Sequence, residues 1–143
     1  MSTQSADSTE ARRDALAVGL LRAGIPGLVA AYRFGSSAAG TGRPGSDVDL
    51  AILADQRLEP VARFNLQEQL ASALRTDVDL VDLRAASTVM ASQVVTTGIL
   101  LYERDAAARH VFENFVYGRY ARLNEERRGI LERIAQEGTV YGG

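Results

Sequence analysis

Apolar and polar positions alternate along this chain in two different rhythms, and the switches between them mark the expected elements. After about eight residues that read as a frayed tail, a helix is expected from Thr9, with Leu16, Leu20 and Ala23 on one side and Gly24, Pro26 and Gly27 as its stop. LVAAYRF, Leu28 to Phe34, is short, almost wholly apolar and bounded by turn residues, as a buried strand requires. Thr41 to Gly45, TGRPG, reads as a loop, and Asp47 to Leu53 as a second strand, polar at 47 and 49 and apolar at 48, 50, 52 and 53. Pro60 suits the first turn of a helix reaching about Leu74, with Phe64, Leu70 and Leu74 as its apolar side. Thr76 to Leu83, TDVDLVDL, is the third strand, with Asp77, Asp79, Val81 and Leu83 on one face and Val78, Leu80 and Asp82 on the other. Ser87 or Thr88 caps a short helix ending at Gly98, and Ile99 to Tyr102 adds a short final strand. From Asp105 a long helix is expected to about Gln136. Its positions Val116, Tyr120, Leu123, Ile130 and Ile134 follow a heptad-like seam with Arg127 in the intervening slot, one stripe more than a small sheet needs.

Composition narrows this picture. With 143 residues, 46% of them hydrophobic, the chain has the size of one domain with one core. The net charge of −2 supplies no broad basic surface, so direct nucleic-acid binding is not expected. The chain has no cysteine, which excludes disulfides, thiolate metal sites and a cysteine nucleophile and suits a cytoplasmic location. The polar opening, MSTQSADSTEARRD, reads as neither signal peptide nor membrane span. All 16 basic residues are arginine, a bias that reflects genome base composition more readily than phosphate recognition.

The candidate chemistry lies between Phe34 and Leu53. Gly35 and Ser36 form a turn whose small residues and free N–H groups suit a phosphate. Asp47 and Asp49, two apart in an extended segment, project from one face, and two like charges so placed need a cation. If the third strand lies beside the second, Asp79 makes three converging carboxylates, an all-oxygen set that suits Mg²⁺ completed by a nucleotide's phosphates. The competing reading of the three acids is a strand edge guarded against pairing. His110, the one histidine, is a surface or packing residue on this reading, and Tyr117, Tyr120, Phe112 and Phe115 are aromatics that pack in the core or at an interface.

Gly35-Ser36-x-Ala38-x-Gly40, followed by Ser46-Asp47-x-Asp49-Leu50, resembles the motif of the minimal nucleotidyltransferases of the DNA polymerase β-like superfamily. The order of strands supports the likeness over about residues 9–103, and the final helix resembles the family's C-terminal helix. The resemblance implies an α+β fold: a small mixed β-sheet flanked by helices, with a long C-terminal helix. It divides the chain into a flexible tail at 1–8, a nucleotidyltransferase core at 9–103, and a helix and tail at 104–143 that belong to the same domain or dock a partner. It makes Gly35 and Ser36 the triphosphate turn, Asp47 and Asp49 the ligands of two Mg²⁺ ions, and Asp79 the third acid, also a ligand, that orients or accepts a proton. Asp77 on the same face is the alternative to Asp79. Ser46 caps the turn and holds Asp47, and Arg43 is a phosphate clamp or a solvated loop residue. The chain departs from the pattern with Ser37 and Ala39, where relatives carry an arginine, which implies a triphosphate held mostly by backbone and metal.

The implied function is that of an antitoxin that transfers AMP or another NMP from an NTP, ATP above all, to a hydroxyl, expected to be a tyrosine, of a HEPN ribonuclease toxin in a hetero-oligomer. Two alternatives stand beside it: an antitoxin that neutralises by docking alone, and a transferase for a small molecule such as an antibiotic.

Overall fold

The computed structural model describes the backbone of residues 2–35 and 47–141, and side chains over 9–35 and 47–137. Among the described residues eight elements follow one another: α1 (Ser2–Gly24), β1 (Leu28–Phe34), β2 (Val48–Ala54), α2 (Pro60–Leu74), β3 (Val78–Asp82), α3 (Thr88–Thr97), β4 (Ile99–Glu103) and α4 (Ala106–Tyr141). The strands form one mixed sheet in the order β3-β2-β1-β4, the α+β arrangement expected. β1 pairs antiparallel with both β2 and β4, while β2 and β3 run parallel. This places the end of β1 and the beginnings of β2 and β3 at one edge of the sheet.

Each face of the sheet carries its own core. Under α1 and α2 lie Leu21, Leu50, Ile52, Leu70 and Leu80, all buried. Under α3 and α4 lie Tyr32, Phe34, Ala51, Leu53, Leu83, Val94 and Val116. Local chemistry sets several element ends. Glu59 caps α2 by accepting from the N–H groups of Val61 and Ala62, with Pro60 following it, and Arg75 closes the helix in the left-handed region at φ 56°. Ser87 accepts from Met90 N to start α3, and Asp105 accepts from Ala108 N at 3.0 Å at the head of α4. Among the described residues no helix is long and apolar enough to cross a membrane.

The structure corrects three expectations. The backbone of α1 starts at Ser2, ahead of Thr9; Leu20 packs against the core as expected, but the fully buried positions of the helix are Ala17 and Leu21, and Leu16 and Ala23 are exposed. Phe64 is 51% exposed, and the inner side of α2 is Leu66, Leu70 and Leu74. Asp47 lies one residue ahead of β2, and β3 is shorter than Thr76 to Leu83 at both ends. Along the α4 seam Val116 is buried, whereas Ile130 and Ile134 are exposed, so the sheet leaves the later part of that surplus stripe uncovered. For the two helix faces the amphipathic period was present, and the neighbouring element decided which side of it was covered.

Polar networks help fix the helices to the sheet. Arg33 of β1 is buried and pairs with Glu10 at 2.8 Å and Asp14 at 3.2 Å, tying α1 to the strand that leads into Gly35. On the opposite face Arg109 bridges Glu103 and Glu113, both at 2.6 Å, and Tyr32 donates its hydroxyl to Glu113 at 3.4 Å. Burial, reinforced by Glu113, pushes the Tyr32 phenol well above its usual range.

Candidate active site

The parallel register pairs Asp49 with Asp79, and the antiparallel register pairs Asp49 with Phe34, the residue before Gly35. Gly35, Asp49 and Asp79 therefore meet at one corner because three strands end or begin there. Strand alternation puts the side chains of Asp49 and Asp79 on the face carrying Ala51, Leu53, Val81 and Leu83, beneath α3 and α4. Gly35 has φ +75°, and a Cβ built on it would collide with Asp49 Oδ2, so this position needs glycine twice: for its backbone and for the carboxylate beside it.

Asp49 is half-buried, and its carboxyl is held above the usual carboxylate range by burial first, then by the charges of Asp79 and Asp47. Asp49 is thus the shared neighbour of two exposed acids. Among the described residues no three His, Cys, Asp or Glu side chains are already gathered into a metal cluster. The donors at this corner nevertheless fit Mg²⁺, a cation that takes oxygen ligands, draws part of its shell from substrate phosphates, and would relieve the repulsion centred on Asp49. Asp77, the alternative third acid, sits before β3, where its backbone carbonyl accepts from Val48 N at 2.9 Å. Asp82 lies on the other face, buried, accepting from Leu58 N at 2.7 Å and Arg84 N at 3.0 Å, which orients the loop after β2. Ser36, Ser46, Arg43, Ser37 and Ala39 lie outside the described residues.

A family model described as "Polymerase beta, Nucleotidyltransferase" matches residues 24–107, more than half of the chain. The chain belongs to that family. As a nucleotidyltransferase it has a curated relative, protein adenylyltransferase MntA of Shewanella oneidensis, 44% identical over 115 residues that span 80% of this chain and 82% of the relative. A crystal structure of a toxin-antitoxin with AMP-PNP is similar at 44% identity, with a TM-score of 0.75 over 82% of this chain and 94% of that one. A structure of the tri-AMPylated Shewanella oneidensis HEPN toxin in complex with MNT antitoxin is similar at 39% identity, with a TM-score of 0.73 over 85% of this chain and 95% of that one.

The aromatic positions divide. Phe112 packs into the core under α4, and Tyr120 is half-buried, while Phe115 is 58% exposed and Tyr117, largely exposed, donates to Val95 O at 3.3 Å. His110 is exposed, with Nε2 3.0 Å from Arg109 Nη2. Val111, which the sequence reading did not single out, and Phe115, one turn apart, lie open; their i, i+4 spacing was the available signal.

Proposed function

We propose that this nucleotidyltransferase is an antitoxin that transfers AMP from ATP to a hydroxyl, a tyrosine of a HEPN toxin partner, in a hetero-oligomeric complex. The reading is carried by the pairing of Asp49 with Asp79 against Gly35, and supported by the adenylyltransferase relative and the HEPN complexes it resembles. With ATP as the donor, the compartment we assign is the cytoplasm.

In this reading Gly35 and Ser36 receive the triphosphate through backbone N–H groups, which a glycine leaves uncovered by any side chain. Asp47 and Asp49 would hold Mg²⁺, two ions, with Asp79 completing the acidic set. When bound, Mg²⁺ would neutralise phosphate oxygens and lower the pKa of the acceptor hydroxyl. The hydroxyl oxygen attacks the α-phosphorus, forming a new P–O bond, and the bond to the bridging oxygen breaks to release pyrophosphate. Asp79, exposed beside Asp49, orients the hydroxyl and accepts its proton.

Radiolabelled ATP with Mg²⁺ and the HEPN toxin of the same genome should label the toxin. Asp47→Ala combined with Asp49→Ala should lower labelling by about 10³-fold or more. Unchanged labelling in that double variant would sink the assignment, and full neutralisation of the toxin without label would assign protection to docking alone.

A further inference from the structure

α4 and the segment after β3 enclose a groove of about 560 Å³, floored by Leu83, Ala91, Phe112 and Val116. Its outer wall is open: Val111 is 70% exposed and Phe115 58%. Two arginines form the rim, Arg84 with its guanidinium 5.6 Å from the Phe112 ring and Arg119 at 5.6 Å from Phe115. Arg84 also donates to Ala54 O at 2.5 Å, and among the described residues neither arginine is ion-paired with a carboxylate. From Ala108 to Arg119 the α4 wall is about 17 Å long, room for three turns of a second helix.

The groove shares a sheet face with the acids. Asp79, Val81 and Leu83 alternate onto one side of β3 and its extension, so the floor at Leu83 begins about 13 Å from Asp79. An exposed apolar wall, an arginine rim without carboxylates and this continuity together describe a receptor for an amphipathic segment with acidic flanks.

We infer that this groove seats an amphipathic helix of the toxin, with apolar side chains one turn apart on Val111, Phe112 and Phe115 and carboxylates on Arg84 and Arg119, and that this seating delivers the acceptor hydroxyl to Asp79. The inference rests on the toxin being the acceptor, and its affinity test does not depend on catalysis. Phe115→Glu and Arg119→Glu alter exposed side chains and leave the buried cores untouched. Binding of the full-length chain to the HEPN toxin of the same genome is measured first without ATP, where each variant should bind at least about tenfold more weakly. With ATP and Mg²⁺, the KM for the toxin should rise by a similar factor while kcat stays within about twofold. Affinity and KM within twofold of wild type in both variants overturn the inference, as does a fall in kcat at constant KM. A wild-type dimer that the variants convert to monomer at unchanged toxin affinity also overturns it, giving the groove to a second copy. Toxin that binds but is never labelled refutes the transfer reading and leaves the groove to be judged on affinity. A wild-type chain that does not bind the toxin refutes both.

Discussion

The two faces of the sheet are built differently. Beneath α1 and α2 the apolar side chains close over one another, and the cavity there, about 60 Å³, is a notch beside Arg33 and Leu74. Beneath α3 and α4 the packing stops short: the groove opens along α4, and the helix is held in part by the polar bridge from Glu103 through Arg109 to Glu113 and Tyr32. The acids face this second side. Close packing resists change in a core, whereas a reacting site must admit substrate and partner. The chain meets both demands by giving one to each face.

Truncation should separate the faces most sharply. Leu70→Ala, in the closed core, should cost about 3 kcal/mol of stability in denaturant unfolding, and Phe115→Ala within about 0.5 kcal/mol. Equal losses would break the comparison. Gly35→Ala probes the corner between the faces. The positive φ should cost about 1–2 kcal/mol, and the new Cβ must displace the Asp49 carboxylate, so labelling of the toxin should fall further than stability does.

The polar bridge of the open face predicts a sensitivity to alkali. The folded state holds the Tyr32 proton above the usual value of 10.0, so this contribution is complete below pH 10 and is lost as pH rises above it. The unfolded tyrosine ionises first, giving a slope of about 1.4 kcal/mol per pH unit. Chemical denaturation at pH 9 and pH 11 should show this slope in wild type and lose it in Tyr32→Phe. The smallest effect concerns Asp49. Without divalent cations its charge is disfavoured, so Asp49→Asn should stabilise the protein at pH 7 by roughly 0.5 kcal/mol after allowance for solvent screening, or about 2 °C in Tm. The wild-type penalty is relieved as pH falls through the raised folded pKa toward 3.8, because the folded carboxyl protonates first, so the advantage of the variant should shrink in thermal melts near pH 4.

Where local chemistry sets structure, it could be read directly. Pro60 and the run to Leu74 mark α2, and Ser87 and Gly98 bracket α3, because caps and breakers act within a turn. The Asp47, Asp49 and Asp79 spacing made a convergent acid site conceivable, and the parallel register of β2 and β3 sets Asp79 opposite Asp49 while leaving Asp77 ahead of the strand. The covered side of α1, the exposure of Phe64 and the work of Asp82 were not legible. Each depends on an element distant in the chain: Asp82 bonds Leu58 N, 24 residues away, and Tyr32 reaches Glu113, 81 residues away.

The order of elements, the helix ends marked by caps and breakers, the glycine turn and the acidic positions were therefore determined by the sequence alone, since each follows from propensities and spacings within a few residues. The tertiary structure decided which amphipathic sides are buried, which acids become neighbours and which face stays open. Those outcomes follow from the sheet order β3-β2-β1-β4, a long-range pairing that no local pattern encodes.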